Sequence, residues 1–179
     1  MRTSYVFTGL VLVLVGIVVV ARTGWLSRRD AGEPMSQYRR EVMDAPQTPQ
    51  LSTAEAAAIA EKYNTTTMRP SGLRFIVRAP GTGDATPRRG QEVTVNYEGW
   101  LLRNGAKFDS SYDRHQPFTF QVGMGQVIAG WDAIVLEMKR GEKRTVIIPW
   151  WLAYGASGRP PVIPPKASLV FDIEVLDFR

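Results

Sequence analysis

A chain of 179 residues is long enough for one ordinary domain plus an extension, or for two very small domains. It contains no cysteine, which excludes disulfides, thiolate catalysis and cysteine-based zinc sites. Residues 1–90 hold 12 Lys and Arg against 7 Asp and Glu, whereas residues 91–179 hold 10 of each kind, so the net charge of +5 comes from the first half. A neutral second half argues against a basic groove for nucleic acid, and the excess charge indicates a solvated or membrane-proximal segment.

Residues 5–21, YVFTGLVLVLVGIVVVA, form an uncharged run, with Arg2 before it and Arg22 after it. The run has the length of a short membrane span, so it predicts an N-terminal transmembrane helix, with residues 1–22 as the anchor. A cleavable signal peptide is the alternative, because the small residue Ala21 could end a cleavage site. The arginine that follows directly disfavours cleavage, and we favour the anchor.

Two signals conflict over the orientation of this predicted anchor. The positive-inside rule places the flank that holds Arg22, Arg28 and Arg29 in the cytoplasm. A short basic stretch before a single apolar run is, in contrast, typical of an export signal. We expect the folded domain on the extracytoplasmic (periplasmic) side, with the cytoplasmic face, or export after cleavage, as alternatives.

A linker and a short helix are predicted to follow the anchor. Residues 23–51 are rich in polar residues and proline, which predicts an extended or disordered linker. Ser52 and Glu55 have the spacing of a capping box, so the connecting segment 52–71 is expected to begin with a helix. The remaining residues, 72–179, form the predicted folded domain.

That domain has the two-residue hydrophobic period of half-buried strands. The alternation predicts strands at residues 73–78, 93–98, 118–122, 145–148 and 168–178. Asn104-Gly105 between two apolar runs is a strong hairpin signal, which returns the chain through residues 107–109.

One amphipathic helix interrupts the predicted strands. Trp131, Ile134, Val135 and Met138 fall on a single helical stripe, and Gly141 is the expected stop. Many strands with one such helix indicate an α+β fold, in which an antiparallel sheet is covered on one side by the helix.

Most catalytic constellations are missing from the sequence. His115 is the single histidine, which excludes a metal site built on several imidazoles, and its polar loop is typical of a solvent-facing side chain. The sequence has no Walker loop, nucleophile elbow or acidic calcium loop, so no cofactor is expected. What remains is a set of aromatic and aliphatic residues around Asp109 within residues 105–131. Tyr97 and Tyr154, which lie outside that stretch, belong to the same candidate set. This set fits a dry concave site, and it fits equally a core with an ordinary buried ion pair.

Six motifs occur in order within residues 72–179. They are VNYEG (95–99), KFDSS (107–111), PFTF (117–120), QVIAGWD (126–132), LAYG (152–155) and VIPPKASLVFDIEVL (162–176). In order and spacing they resemble the FKBP-type peptidyl-prolyl cis–trans isomerases. The resemblance implies a twisted antiparallel sheet of five to six strands wrapped around the helix at 131–139, with a prolyl pocket between sheet and helix.

The resemblance also implies roles for residues by position, with no metal. The implied catalytic residues are Asp109, a buried carboxylate near the reacting amide; Tyr97, which orients it; Tyr154, whose hydroxyl binds substrate; and Ile128, a backbone N–H donor. The implied substrate-binding residues are Phe108, Arg114, Phe118, Val127, Trp131, Val162, Ile163 and Phe171, with Trp131 as the pocket floor. The implied partners are proline-containing polypeptides and macrolide immunosuppressant-type inhibitors.

Some positions depart from the family pattern. Gln126 stands where Glu is common, and Arg159 with two following prolines stiffens and charges the loop after Tyr154, which leaves the substrate preference open. Trp150 and Trp151 either pack within the fold or enlarge an apolar rim for unfolded chains. The expected function is therefore prolyl isomerisation in protein folding, and the alternative is a membrane-tethered chaperone or binding module with weak or no isomerase activity.

Overall fold

The computed structural model describes residues 49–179. The transmembrane helix predicted within residues 1–22, and nearly all of the linker predicted at 23–51, lie outside these described residues. None of the helices within residues 49–179 has the length and hydropathy needed to span a bilayer.

Residues 49–179 contain two α-helices, a 3₁₀ turn and seven strands. In chain order they are α1 (Thr53–Lys62), β1 (Thr67–Met68), β2 (Arg74–Ala79), β3 (Glu92–Leu101), β4 (Lys107–Ser110), β5 (Phe118–Gln121), α2 (Ala129–Val135), β6 (Lys143–Ile148), the 3₁₀ turn (Trp150–Leu152) and β7 (Leu169–Phe178). The α+β class predicted from the sequence is confirmed.

All strand pairs are antiparallel, and they form one sheet in the order β1-β2-β6-β7-β3-β4. The fifth strand lies beside the first half of β3, while β4 lies beside its second half. The sheet therefore has seven strands, where five to six were expected. The difference is the two-residue strand β1, which pairs with the start of β2 and is too short to show an alternating pattern in the sequence.

The main core lies between α2 and one face of the sheet. Trp131, Ile134 and Val135 of α2 are at most 4 % exposed, which confirms the predicted helical stripe. The sheet contributes alternate residues of its central strands, because side chains along a strand point to opposite faces in turn. On β7 these are Leu169, Phe171, Ile173 and Val175, all buried in the same cluster.

The helix is shorter than predicted, since α2 ends at Val135. The N–H groups of Glu137 and Met138 then bond the carbonyls of Ile134 and Val135, which tightens the chain into a turn. Met138 is still fully buried, so its position on the apolar side is correct. Gly141, the predicted stop, instead leads the chain into β6, and its N–H donates to the Val175 carbonyl at 2.7 Å.

A second, smaller core covers the opposite face of the sheet. Its buried members are Ile59, Leu102, Ile147 and Val170, with partly buried neighbours that include Trp100. Ile147 and Val170 lie between residues of β6 and β7 that face the main core, so the alternation of the strands produces both clusters. Ile59 comes from α1, which therefore packs on the sheet.

The capping box predicted at the start of α1 is present. The Glu55 N–H donates to the Ser52 hydroxyl at 3.3 Å, and the Ser52 N–H donates to the Glu55 carboxylate at 3.0 Å. The other carboxylate oxygen of Glu55 accepts the Ser168 N–H at 2.9 Å. Glu55 is consequently only 3 % exposed, and it ties α1 to the chain just before β7.

The predicted hairpin between β3 and β4 is also confirmed. The Gly105 N–H donates to the Leu101 carbonyl, and the Leu101 N–H donates to the Ala106 carbonyl. Gly105 has a φ of 69°, a left-handed conformation that glycine adopts without steric cost. The hairpin brings Phe108 and Asp109 alongside β3.

Candidate functional site

A pocket of about 230 Å³ opens where α2 meets β3, β4, β5 and β7. Its lining comprises Tyr97, Phe108, Asp109, Phe118, Gln126, Val127, Ile128, Trp131, Tyr154, Arg159 and Phe171. Nine of the twelve residues predicted for the site therefore line one pocket, although they come from six separate segments.

Aromatic rings form the floor and walls of the pocket. Trp131 is 4 % exposed, and its ring lies edge-on to Tyr97 at 5.0 Å and to Phe171 at 5.3 Å between centroids. Phe118 completes one wall at 6.2 Å from Trp131. Edge-to-face contacts at these distances stabilise aromatic clusters beyond the effect of burial alone, so the pocket is held in shape before any ligand arrives.

A glycine permits this close packing of the walls. A side chain at Gly99 would place a Cβ 2.7 Å from a ring atom of Phe108 and 2.8 Å from one of Phe171. Without that atom, the two rings meet edge-on with centroids 5.6 Å apart. Gly99 belongs to the VNYEG motif, and its place in the motif has a steric reason.

The carboxylate of Asp109 is held by three donors. The Tyr97 hydroxyl donates to Oδ2 at 2.5 Å, the Ser110 N–H donates to Oδ1 at 2.9 Å, and the Arg114 guanidinium forms an ion pair with Oδ1. Arg114 also donates to the Tyr97 hydroxyl oxygen at 2.9 Å. Arg114, predicted to bind substrate, is not part of the pocket lining, and its contacts with Asp109 and Tyr97 position these two side chains.

This network fixes the protonation states at the site. Burial raises the pKa of the Asp109 carboxyl, but the hydrogen bonds from Tyr97 and Arg114 outweigh burial, and the net result is a lowered pKa. Burial and donation to Asp109 together raise the pKa of Tyr97 to about 12. Asp109 is therefore ionised and Tyr97 neutral near pH 7, and neither is poised to exchange a proton there.

Serine in the KFDSS motif fastens the Asp109 loop to β3. The Ser111 hydroxyl accepts the Tyr97 N–H at 2.8 Å, and the Ser111 N–H donates to the Tyr97 carbonyl at 2.9 Å. Ser111 is fully buried. The residues that follow Asp109 thus lock the strand that carries Tyr97.

The start of α2 places the Ile128 backbone at the pocket. Asp132 accepts the N–H groups of Gly123 and Gly125 at 2.8 and 2.9 Å, which fixes the loop before the helix. Ile128 is the N-cap residue, and its carbonyl accepts the Trp131 N–H at 2.9 Å. Within residues 49–179 the Ile128 N–H has no hydrogen-bond acceptor.

Two predicted residues lie in an adjoining cavity rather than in the main pocket. This cavity of about 300 Å³ is lined by Val162 and Ile163, together with Phe108, Asp109, Tyr154, Arg159 and the two prolines between 159 and 162. Val162 is 53 % exposed, whereas Ile163 is 4 % exposed and belongs to the main core. The two cavities share four lining residues, so they form neighbouring parts of one surface.

Gln126 and Arg159 line the main pocket and were not among the predicted site residues. The Gln126 side chain accepts the Gln121 N–H at 2.9 Å, so it holds the end of β5. The departure of both residues from the family pattern was visible in the sequence. The family pattern also indicated a rim position for Gln126, whereas the place of Arg159 in the lining depends on loops that meet only in the folded chain.

The paired tryptophans pack against the N-terminal side of the described chain. Their rings meet edge-on at 5.5 Å. The Trp150 indole N–H donates to the Gln50 carbonyl at 3.1 Å, and the Trp151 indole N–H donates to the Ser71 carbonyl at 3.0 Å. Neither residue lines the pocket, and these contacts favour packing over an open apolar rim.

Comparison with known proteins agrees with this geometry. The model of the FKBP-type peptidyl-prolyl cis-trans isomerase family matches residues 83–176. The peptidyl-prolyl cis-trans isomerase Fkbp12 of Drosophila melanogaster is 47% identical over 105 residues, which are 59% of this chain and 96% of that protein. FK506-binding protein 1 of Candida glabrata is 48% identical over 105 residues, with 59% of this chain and 91% of that protein covered.

Longer relatives and a solved structure match the same region. The peptidyl-prolyl cis-trans isomerase FKBP4 of Mus musculus is 47% identical over 108 residues, which are 60% of this chain but only 23% of that protein. The crystal structure of AtFKBP13 superposes with a TM-score of 0.60 at 41% identity, covering 64% of this chain and 98% of that one. The family model matches more than half of the chain, and the fold and pocket agree with it: this chain belongs to the FKBP-type peptidyl-prolyl cis–trans isomerases.

Proposed function

We propose that the pocket around Trp131 binds prolyl residues of polypeptides and accelerates cis–trans rotation of the amide before the proline. The observation that carries this proposal is a preformed pocket with aromatic floor and walls, whose lining has one ionised carboxylate that is already hydrogen-bonded and no general base. Such a pocket suits a reaction in which no covalent bond is made or broken.

The physics of the reaction explains why a pocket with aromatic walls and a few fixed polar groups suffices. Resonance keeps the amide planar, and the barrier to its rotation is about 18–20 kcal/mol. In the twisted transition state that resonance is lost and the carbonyl is less polar. An environment from which water is excluded therefore favours the twisted amide over the planar one, and only such differential binding increases the rate. Each ~1.4 kcal/mol of preference gives a factor of ten.

Within this proposal, each predicted residue has a physical task. Trp131 is the floor on which the prolyl ring rests, and the free N–H of Ile128 and the hydroxyl of Tyr154 donate hydrogen bonds to substrate carbonyls. Asp109 supplies a fixed negative charge near the rotating amide, and Arg114 holds that charge in place through the contacts described above. Asp109 does not act as a base.

The decisive experiment measures cis–trans exchange in a proline-containing peptide, with the purified full chain as catalyst. We expect exchange well above the uncatalysed rate. Tyr154→Phe should lower kcat/KM about three- to fivefold, because it removes one hydrogen bond to the substrate. Tyr112→Phe is the matched control, because Tyr112 bonds Glu174 and lines neither cavity. A wild-type chain no faster than buffer would show that the proposal is wrong.

A macrolide of the FK506 type is the inhibitor that this pocket is proposed to take. Support comes from a relative named FK506-binding protein 1, which is 48% identical over 105 residues. We expect FK506 to inhibit the peptide exchange by competition, so that KM rises while kcat stays the same. Inhibition that lowers kcat without a change in KM would contradict occupancy of the prolyl pocket.

We also propose that residues 5–21 tether the domain to a membrane, with the folded part on the extracytoplasmic side. The uncharged run of residues 5–21 supports the tether, and the short basic stretch at Arg2 before that run, typical of an export signal, supports the orientation. Protease treatment of cells tests the orientation. An extracytoplasmic domain is cleaved once the outer envelope is made permeable while the cytoplasmic membrane stays intact, whereas a cytoplasmic domain is protected. Mass measurement of the purified native chain distinguishes an anchor from a cleaved leader.

A further inference from the structure

Arg159 is one of two charged residues in the lining of the prolyl pocket, and the other is Asp109. Asp109 is already engaged, because Oδ1 bonds Arg114 and the Ser110 N–H, and Oδ2 accepts the Tyr97 hydroxyl. Arg159 forms no ion pair with any carboxylate in the part of the chain that the structure describes. Its positive charge is therefore available to a bound molecule.

The backbone holds Arg159 beside Tyr154, whose hydroxyl is proposed to bind substrate. The Arg159 N–H donates to the Ile163 carbonyl at 2.8 Å, and the Ile163 N–H donates back to the Arg159 carbonyl at 3.0 Å. Ile163 is 4 % exposed and anchored in the main core, so this pair fixes the base of the loop. The guanidinium carbon lies 5.9 Å from the centroid of the Tyr154 ring, within the range of a cation–π contact.

The adjoining cavity is where Arg159 could distinguish between substrate side chains of different charge. Phe108, Asp109, Tyr154 and Arg159 line both it and the prolyl pocket, so a peptide with its proline on Trp131 places a neighbouring side chain there. An acidic side chain in that cavity would meet an unpaired guanidinium. A basic side chain would meet the same charge and be repelled. The other charge at this cavity, the Asp109 carboxylate, is already paired with Arg114, so Arg159 supplies the unpaired charge.

We propose that Arg159 gives this site a preference for polypeptides with Asp or Glu next to the target proline. This inference rests on the proposed isomerase function and adds a substrate class to it. The Arg159 side chain is exposed, so each charge contact contributes modestly, about two- to fivefold. Attraction of Glu and repulsion of Lys combine, and we expect about a fivefold or larger ratio of kcat/KM between Glu and Lys peptides at low salt. Added salt reduces the ratio because it screens exposed charges.

The test measures kcat/KM of the full chain on peptides with one proline, with Glu, Gln or Lys placed either directly before or directly after it. The ratio of Glu to Lys is compared within each protein, so any general change in activity cancels. We expect Arg159→Gln to bring the ratio close to one, Arg159→Lys to preserve it, and Arg159→Glu to invert it. Arg88→Gln is the matched control, because Arg88 is exposed and lines neither cavity, and it should keep the wild-type ratio.

The outcomes separate this inference from the proposed activity. A wild-type ratio near one at both positions would overturn the inference while leaving the isomerase intact, and so would an Arg159→Glu variant with an unchanged ratio. Absence of turnover even on the Gln peptides would overturn the isomerase activity itself, and the preference with it. A ratio above one at either position that inverts with Arg159→Glu supports the inference.

Discussion

Each face of the sheet is covered by one helix, and the two helices have different roles. On one face, α2 places Trp131 under a pocket whose aromatic walls remain open to a ligand. On the other face, α1 places Ile59 against Ile147 and Val170 and closes a small core. The pocket face lies within the segment that matches the family model, whereas α1 precedes it. The comparison suggests that the face covered by α1 contributes to stability but takes no direct part in activity, whereas the pocket face carries both the main core and the site.

Each face also holds a carboxylate with a lowered pKa, and the two differ in exposure. The Asp109 side chain is 38% exposed and lines the pocket. Glu55 is 3 % exposed, and its acceptors are occupied by Ser52 and Ser168. A carboxylate that is saturated with internal bonds and shielded from solvent can fix structure but cannot act on a substrate. The same chemical group therefore has a structural task on one face and a task at the site on the other.

The largest expected effect is on stability, from Ile59→Ala. Truncation of this buried side chain leaves a cavity against Ile147 and Val170, and losses of about 2–5 kcal/mol are typical of such changes. Chemical denaturation measures the change in the free energy of unfolding, and kcat/KM under folding conditions should stay at the wild-type value. Val77→Ala is the control, because Val77 is 47% exposed. A parallel fall in kcat/KM would break the division between the faces.

Glu55→Gln should destabilise the fold by about 1–3 kcal/mol, since it weakens the bonds to Ser52 and Ser168 in a buried place. Burial raises the pKa of Glu55, but the backbone hydrogen bonds from Ser168 and Ser52 outweigh burial and lower it. A folded pKa below the unfolded one means that this stability is present above the unfolded value of 4.5 and is lost as pH falls through the folded pKa.

Denaturation at a series of pH values measures this effect. The difference in unfolding free energy between wild type and Glu55→Gln should be full at pH 7 and should shrink below about pH 4.5. Glu61→Gln, on the exposed side of the same helix, is the control and should leave the wild-type curve unchanged. A difference that grows as pH falls would contradict the lowered pKa.

On the other face, Asp109→Asn should lower kcat/KM about tenfold, equivalent to ~1.4 kcal/mol. Asparagine keeps the shape and an acceptor for Tyr97 but removes the charge that the reacting amide meets. Asp113→Asn is the control, because Asp113 is exposed and pairs with Lys107 outside the pocket. Peptide exchange measures the rate, and denaturation should show a smaller stability loss than for Ile59→Ala. A larger stability loss for Asp109→Asn than for Ile59→Ala would refute the division of tasks between the two faces.

The smallest expected effect is that of pH on the pocket. The pKa of Asp109 is lowered from 3.8, and that of Tyr97 is raised to about 12, so neither group changes charge between about pH 5 and pH 10. The rate profile for an uncharged peptide should therefore be nearly flat across that range. A bell-shaped profile centred near pH 7 would indicate a general base and would contradict rotation without proton transfer.

Local patterns in the sequence predicted the elements whose geometry depends on near neighbours. The capping box of Ser52 and Glu55 and the turn at Asn104-Gly105 each involve a few consecutive residues, and both are present as predicted. The apolar stripe around Trp131 was also predictable, because a helix repeats every 3.6 residues wherever it lies. The order of six motifs then indicated the family and nine of the pocket residues.

Contacts between distant segments decided the rest. The second task of Glu55 requires Ser168, which lies 113 residues away, and no local pattern pairs them. Val77 follows the alternation of a half-buried strand, yet it is 47% exposed near the point where β2 and β6 shift register. The end of α2 at Val135 and the place of Arg159 beside Tyr154 likewise depend on how the chain packs. The sequence alone determined the family, the hairpin and the capping box of α1, because short-range sterics and hydrogen bonds act within a few residues. Only the tertiary structure decided that Arg159 reaches the pocket and that Glu55 is buried, because the exposure of a side chain is set by the whole fold.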